Sequence, residues 1–209
     1  REKDLNRPEV HLPLKVKVCE KCWLVQTEDC TSFEKMFTED YAYFSSASTS
    51  YLEHAKNFSK KMIKELNLDK ESFVIEIASN DGYLLKNFIE KKIPCLGIEP
   101  TKSTADVAEK LNVPVMREFF DEMIGKHLAS EGKQADLIIG NNVYAHVPDI
   151  NDFTKGLKAA LRINGTLSLE FPHLLNLIEK TQFDTIYHEH FSYLSLSTVD
   201  RIFSSVGLR

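Results

Sequence analysis

The chain has 209 residues, of which 43% are hydrophobic, with a net charge of −5 and a pI near 5.8. This length allows one hydrophobic core with a small appendage, and the acidic balance argues against a protein that binds duplex nucleic acid through a basic face. No stretch approaches the roughly 20 apolar residues of a membrane span, and the first residues lack the apolar core of a signal peptide. We therefore expect a soluble, cytoplasmic protein that binds neither nucleic acid nor a membrane.

The N-terminal segment contains a close pair of cysteines between two short apolar runs. The alternation of apolar and polar residues over 12–18 predicts a half-buried strand, and Trp23-Leu24-Val25 predicts a second one. Cys19 and Cys22 lie between them, and a two-residue spacer lets both thiolates face one tetrahedral zinc ion. Four ligands are needed, so a further CxxC lies outside this sequence, or Cys30 or His11 completes the set, or no metal binds. We favour the first explanation.

Residues 36–70 are predicted to form a lid and a helix that precede the main domain. Aromatic and hydroxyl side chains are dense around this region: Phe37, Tyr41, Tyr43, Phe44, Ser45, Ser46, Ser48 and Tyr51. Simple packing is the default explanation, but phenols mixed with serines also suit the lid of a dry pocket that must offer hydrogen-bond donors. The spacing of apolar residues over 53–68 predicts an amphipathic helix.

The stretch 74–85, VIEIASNDGYLL, joins a predicted buried strand to a predicted helix through a small polar turn. Small turn residues let a ligand approach the backbone closely, and the helix N-terminus offers unpaired N–H groups. The stretch therefore indicates a cradle for a nucleotide-like ligand. An ordinary buried strand followed by a capped helix is the alternative.

Strands and helices alternate through the following residues. Further strands are predicted at 93–98, 113–116, 135–140 and 166–171, helices at 103–111 and 150–162, and a turn at Asn164-Gly165. This pattern predicts an α/β fold with a mostly parallel sheet that is covered on both faces.

Polar and aromatic residues fall where the predicted strands end, which is where such sheets bind ligands. They are Asn80, Glu99, Phe119, Asn141 and Glu170. Glu99 lies 17 residues beyond Gly82, close to the spacing at which an acid hydrogen-bonds a ribose diol. A solvated surface glutamate is the alternative for Glu99.

The most unusual cluster is Tyr187-His188-Glu189-His190, with Tyr193 nearby. Histidine takes or gives a proton near neutrality, a neighbouring carboxylate can fix its tautomer, and a tyrosine can donate to a developing oxyanion. A metal site is the first rival, but histidines two residues apart do not provide the helical HExxH arrangement. Histidines that are merely satisfied by hydrogen bonds are the second rival.

Together, these motifs resemble those of the sugar C-methyltransferases. The matching stretches cover nearly the whole chain: PLKVKVCEKCWLVQ (13–26), YAYFSSAS (41–48), VIEIASNDGYLL (74–85), LGIEP (96–100), NNVYAHVPD (141–149) and FDTIYHEHFSYLS (183–195). The resemblance implies a Rossmann-like class I methyltransferase that uses S-adenosylmethionine to methylate a carbon of a nucleotide-linked 4-keto-deoxysugar. The turn departs from the common E-x-G-x-G-x-G pattern, because only Gly82 remains of its three glycines.

The resemblance also implies roles for individual residues. His190 would be the general base, held by Glu189, with Tyr187 donating to the enolate oxygen and with His146 and Tyr41 completing the pocket. Which histidine removes the proton is left open. The cofactor group would be Glu76, Ala78, Asn80 and Gly82 around the methionine portion, Glu99 on the ribose, Phe119 on the adenine and Asn141 at the methionine end.

We therefore expect three segments: a partial zinc-binding segment at 1–35, a helical and aromatic lid at 36–70, and an S-adenosylmethionine-binding domain at 71–209. Cys19 and Cys22 match the second of two CxxC pairs in the family, so zinc is expected to need a further pair outside this sequence. The closing strands of the domain and a C-terminal domain are expected beyond residue 209. A methyltransferase of another small-molecule acceptor and a non-catalytic cofactor- or zinc-binding module are the alternatives.

Overall fold

The computed structural model describes residues 11–28 and 43–209, and within these ranges eight strands form two sheets. They are β1 (Val16–Val18), β2 (Val25–Thr27), β3 (Val74–Ile77), β4 (Cys95–Ile98), β5 (Val115–Met116), β6 (Ala135–Asn141), β7 (Leu161–Glu170) and β8 (Ser192–Tyr193). The larger sheet has the order β5-β4-β3-β6-β7, and all its pairings are parallel. The smaller sheet, β1-β2-β8, is antiparallel. The predicted α/β fold with a parallel sheet is confirmed.

The described helices are α1 (Thr49–Glu65), α2 (Lys86–Ile89), α3 (Lys102–Lys110), α4 (Glu122–Ser130), α5 (Ile150–Ala160), α6 (Leu174–Glu179) and α7 (Leu196–Ser205). Side-chain caps fix several starts, because Ser48 accepts from the Tyr51 N–H and Ser195 from the Thr198 N–H. The cap at Ser48 explains why α1 begins four residues before the start predicted from its apolar spacing. None of these helices is long and apolar enough to cross a membrane.

The central strands of the larger sheet are buried on both faces, as their near-continuous apolar sequences require. All four residues of β3 are buried, with Ile75 and Ile77 in one hydrophobic cluster and Val74 in the other. In β6, Ile138 belongs to the first cluster and Leu137 to the second. Side chains of successive residues point to opposite faces, so each strand contributes to both clusters.

Two predictions from local sequence are wrong. The strand predicted to be half-buried over 12–18 is only β1, and all its residues are exposed, because β1 is the outer strand of the smaller sheet. The Asn164-Gly165 turn does not separate α5 from a later strand, because β7 already begins at Leu161. Ala135 pairs with Leu161 while Leu137 pairs with Thr166, so the residues between them form a bulge with Asn164 at a φ of 68°.

The N-terminal hairpin, β1 and β2, turns at the CxxC sequence, as predicted. The Cys19 N–H donates to the Leu24 carbonyl (2.9 Å) and the Trp23 N–H donates to the Cys19 carbonyl (2.9 Å). Leu24 is buried in the core of the main body, and Cys22 packs against the same cluster. The hairpin is therefore anchored to the main body through its turn as well as through the pairing of β2 with β8.

Helices α4 and α5 approach each other closely at Gly125 and Gly156, where a Cβ on Gly156 would lie 2.3 Å from the Asp121 carbonyl oxygen. Alanine usually favours a helix over glycine by about 1 kcal/mol. Here we expect Gly156→Ala to lower the free energy of unfolding by about 1–3 kcal/mol, since the helices must separate. Urea denaturation checks this, with the exposed neighbour Lys155→Ala as a control that changes stability by less than about 0.5 kcal/mol. A Gly156→Ala protein as stable as the control would contradict this packing.

Candidate functional site

A cavity of about 530 Å³ lies over the carboxyl ends of the central strands of the larger sheet. It brings together residues from both predicted groups: Ala78, Asn80, Glu99, Phe119 and Asn141 from the cofactor group, and His146, Tyr187, Glu189 and His190 from the catalytic group. Glu76 and Gly82 do not line this cavity. Tyr41 lies outside the described residues. A single cavity therefore joins the strand-end turn to the histidine motif more than a hundred residues later in the sequence.

The turn after β3 is held in an unusual backbone conformation. Ala78 and Asn80 have φ values of 56° and 50°, in the left-handed region that non-glycine residues rarely adopt. The Asn80 N–H donates to the Glu99 carboxylate (2.9 Å), which also accepts from the Thr101 N–H (2.9 Å) and from its hydroxyl. These three bonds leave acceptor capacity on the buried Glu99 carboxylate, which borders the cavity.

Gly82 packs closely against its neighbours, and its predicted contact with the cofactor stays a prediction. Its φ is 76°, and a Cβ there would lie 3.1 Å from the Cβ of Ala108 and 3.2 Å from a methyl group of Val113. A glycine at this position therefore lets the turn pack tightly against α3 and the residues that follow it.

Glu76 is a buried carboxyl beneath the turn. Neither of its oxygens has a hydrogen-bond partner among the described residues, although the Tyr83 hydroxyl lies close enough to favour the charged form of the carboxyl. Burial raises the pKa of Glu76 well above its ordinary value, and the nearby carboxyls of Glu99 and Asp81 raise it further. A cation placed beside this group would relieve both effects.

Sequence reasoning missed Tyr83, which lines the cavity. The spacing of Tyr83 and the leucines after it predicts a core face, and Tyr83 is indeed buried. Its ring stacks on Tyr51 (centroids 5.0 Å apart), and its hydroxyl accepts from the Asn141 side chain (3.3 Å) and donates to the Tyr51 hydroxyl (3.3 Å). The sequence offered one signal for this role: Tyr83 follows the predicted ligand-binding turn directly, and a tyrosine carries a hydroxyl that can face a ligand.

The described segment before α1, which belongs to the predicted lid, lies over the turn. The Asn80 side chain accepts from the Ser45 N–H (2.9 Å) and donates to the Tyr43 carbonyl (3.0 Å), while Asp81 accepts from the Ser46 N–H (3.1 Å). Tyr43 and Ser45 line the cavity. The side chains of the turn therefore bond to the segment before α1, while the backbone N–H of Asn80 in the turn donates to Glu99.

The partners of His190 define its tautomer. Its Nδ1 lies 2.7 Å from the Thr185 carbonyl oxygen, which can only accept, so Nδ1 carries the hydrogen. The Nε2 lone pair therefore accepts from the Tyr187 hydroxyl (2.9 Å). The prediction that Glu189 holds His190 is wrong, because Thr185 and Tyr187 occupy both ring nitrogens. The Glu189 backbone carbonyl instead accepts from Nδ1 of His146 (2.9 Å), whose ring centroid lies 4.7 Å from that of His190.

Both imidazoles are poised as neutral bases. Burial, assisted by the neighbouring His190, lowers the pKa of His146 to about 4, and burial also lowers the pKa of His190. Burial and the Glu189 carboxylate raise the pKa of Tyr187, so the phenol keeps its proton. At neutral pH the motif therefore offers a proton acceptor beside a proton donor.

The two cysteines of the N-terminal hairpin lie side by side. Backbone N–H groups of Cys22 and Lys21 lower the pKa of Cys19, and the Cys22 thiol lowers it further. Such N–H groups favour a thiolate, the form that binds a metal. Across residues 11–28 and 43–209, no group of three or more histidine, cysteine, aspartate or glutamate side chains could hold a metal ion. His11 belongs to no such group, and Cys30 lies outside these ranges.

The sheet order and the strand-end cavity define a Rossmann-like methyltransferase fold. Residues 51–209 match the family described as a methyltransferase domain, and the chain belongs to that family. Residues 1–37 match a second family, described as "Putative zinc binding domain". Membership of the first family agrees with the enzyme class expected from the sequence motifs.

Comparison with individual proteins agrees with this assignment. The chain is 33% identical over 201 residues to the C-methyltransferase NovU of Streptomyces niveus, covering 96% of this chain and 48% of NovU. The chain thus spans about half the length of this curated relative. Among solved structures, an S-adenosylmethionine-dependent methyltransferase from Archaeoglobus fulgidus superposes with a TM-score of 0.58 at 14% identity, covering 74% of this chain and 69% of that one. The YcgJ protein of Bacillus subtilis superposes with a TM-score of 0.56 at 18% identity, covering 74% of this chain and 68% of YcgJ.

The low pKa of His146 predicts a specific pH dependence of stability. Below pH 6.5 the unfolded chain binds a proton at this ring and the folded chain does not, until the pH reaches about 4. Stability conferred by the neutral ring is therefore complete above pH 6.5 and is lost as the pH falls toward 4. Relative to His146→Gln, the wild type should lose about 2–3 kcal/mol of unfolding free energy across this interval. Urea denaturation at several pH values measures the difference, and parallel curves for the two proteins would contradict the prediction.

Proposed function

We propose that this chain is the cofactor-binding and catalytic part of an S-adenosylmethionine-dependent C-methyltransferase that acts on a nucleotide-linked keto-deoxysugar. The observation that carries the proposal is the single cavity in which a neutral His190, with its Nε2 lone pair beside the Tyr187 hydroxyl, meets the turn of a methyltransferase fold. A carbon acceptor needs a base to make it nucleophilic, whereas oxygen and nitrogen acceptors have less need of one. The similarity to a C-methyltransferase and the sequence motifs of sugar methylation support the acceptor class.

The cavity fits the proposed cofactor in its chemistry. Glu99 would accept from the ribose hydroxyls, Phe119 would contact the adenine, and Asn80 and Asn141 would border the methionine end. The buried carboxyl of Glu76 does not line the cavity, so it could favour a positively charged ligand only from beneath the turn. When bound, S-adenosylmethionine supplies a methyl group already activated by its sulfonium. The protein therefore has to provide position and a carbon nucleophile.

His190 and Tyr187 can together produce that nucleophile. A ketone that enters between them would replace their mutual hydrogen bond of 2.9 Å. Its oxygen would accept from the Tyr187 hydroxyl, and Nε2 of His190 would take the proton from the adjacent carbon. The electron pair left by that proton forms the enolate, whose charge the phenol stabilises. The carbonyl of Thr185 holds Nδ1–H throughout, so the resulting imidazolium keeps its orientation.

His146 would support the same step from the loop after β6. Its ring is fixed by the Glu189 carbonyl and lies edge-on to His190. Because the His146 ring is neutral, it does not repel the positive charge that forms on His190, whereas a protonated His146 would. We propose that His146 has a positioning role and that Tyr41 completes the pocket.

Residues 1–35 would form part of a zinc-binding segment in which Cys19 and Cys22 supply two thiolates. The N–H groups around Cys19 fit this role. Two further ligands would come from residues outside the described ranges or outside this sequence. The zinc would be structural, because the cysteine turn does not line the cavity.

The cofactor assignment predicts how substitutions change the affinity for S-adenosylhomocysteine, which isothermal titration calorimetry measures. Glu99→Gln removes a charged acceptor from the ribose position and should weaken binding by about ten- to a hundredfold. Glu109→Gln changes an exposed glutamate on α3 that pairs with Arg117, and this variant should bind as the wild type does. Absence of binding to the wild type, or equal binding to Glu99→Gln, would overturn the assignment.

The base assignment predicts the exchange of the substrate proton with solvent. In the full-length enzyme with a nucleotide-linked 4-ketosugar, His190→Asn should slow deuterium incorporation next to the ketone by at least about a hundredfold. His188→Asn, two residues away, is the matched control and should exchange normally, because His188 does not line the cavity. Normal exchange in His190→Asn would move the base elsewhere, with His146→Asn as the next variant to test.

A further inference from the structure

We propose that Thr27, at the end of β2, is a positioning residue for His190, and that the N-terminal hairpin thereby completes the active site. The inference deepens the proposed function and rests on the assignment of His190 as the base. Thr27 lies 163 residues before His190 in the chain and does not line the cavity. It therefore acts on the base without touching a ligand.

Thr27 makes two hydrogen bonds to the backbone around His190. Its hydroxyl donates to the His190 carbonyl (2.9 Å), and its N–H donates to the Phe191 carbonyl (3.2 Å). From the opposite side, the Phe191 N–H donates to the Ala145 carbonyl (2.9 Å) in the loop that carries His146. The peptide that follows His190 is thus held between the hairpin and the β6 loop.

The Thr27 hydroxyl matters because His190 precedes β8 and therefore lies outside the regular sheet. Strand β8 contains only Ser192 and Tyr193, which pair with Gln26 and Val25. The backbone of His190 lies outside that ladder, so the Thr27 side chain provides a contact where strand pairing has ended. A two-residue pairing constrains the preceding peptide less than a continued strand would, and the side-chain hydrogen bond from Thr27 adds to the bond that this peptide makes to Ala145.

Orientation of this peptide determines where the ring points. The His190 ring makes two directional hydrogen bonds, to the Thr185 carbonyl and from the Tyr187 hydroxyl. Both partners are close in sequence to His190, so they cannot by themselves fix the motif against the rest of the fold. Thr27 supplies one such fixed reference, alongside the Ala145 carbonyl, because its hairpin is anchored by the buried Leu24 and by the bond from Arg201 to the Lys21 carbonyl (2.6 Å).

Three variants test the inference in the full-length enzyme. Thr27→Val keeps the shape and the backbone bond but removes the hydroxyl, and we expect kcat to fall about tenfold with an unchanged KM for the cofactor. Thr27→Ser restores a hydroxyl and should recover most of the rate. Gln26→Val changes an exposed neighbour on β2 and should leave the kinetics unchanged. A wild-type kcat in Thr27→Val, or an equal loss in Thr27→Ser, would overturn the role of the hydroxyl.

A second readout separates positioning from simple stability. NMR titration of the His190 ring reports its environment, which contains the titratable side chains of His146, Tyr187 and Tyr193, with Glu189 next to it in the chain. In Thr27→Val the lowered pKa of His190 should move upward, toward the ordinary value, as the ring loses its fixed buried position. A lower melting temperature with an unchanged titration would show a structural role only and would contradict the inference.

The His190→Asn variant distinguishes failure of this inference from failure of the proposed function. If His190→Asn retains proton exchange, His190 is not the base and the proposed function has to be revised. If His190→Asn loses exchange while Thr27→Val exchanges as the wild type does, the base assignment holds and only the role of Thr27 is rejected.

Discussion

The hydrogen bond from the Asn80 N–H to the Glu99 carboxylate (2.9 Å) is the contact on which the site depends. It joins the turn after β3 to the end of β4, while the side chain of Asn80 holds the lid through Tyr43 and Ser45. One residue in a left-handed conformation thus connects the sheet, the ligand cavity and the lid. An asparagine suits this position, because it tolerates a positive φ and offers a donor and an acceptor beyond its backbone.

The histidine motif also lines the cavity, and it is held both by residues close to it in sequence and by residues far from it in sequence. Local bonds to Thr185 and from Tyr187 set the tautomer of His190, and burial keeps the ring neutral. Long-range bonds from Thr27 and to Ala145 place the motif between the N-terminal hairpin and the β6 loop. A base must be neutral and must point at one atom, and in this fold separate sets of contacts meet these two requirements.

Much of the fold and part of the site could be predicted from local patterns. Apolar runs bounded by turn residues predicted the parallel sheet. The position of Asn80, Glu99 and Asn141 at the ends of predicted strands indicated that they would lie around one cavity. Local patterns failed where a neighbour decided the outcome. The spacing of Tyr83 predicts only a core residue, because the cavity that it lines forms on folding. The spacing also did not show that the glycine of the turn packs against α3. Nearness in sequence suggested Glu189 as the partner of His190, but backbone folding brought the Thr185 carbonyl to it.

The sequence by itself determined the alternation of strands and helices, the side-chain chemistry available at the strand ends and the presence of two histidines near a donor phenol. These properties follow from residue type and spacing, which are local. Only the tertiary structure decided which nitrogen of His190 keeps a lone pair, that burial lowers the pKa of His146, and that Thr27 reaches a residue 163 positions away. Tautomer, desolvation and long-range hydrogen bonds depend on groups that only folding brings into contact, so no pattern along the chain encodes them directly.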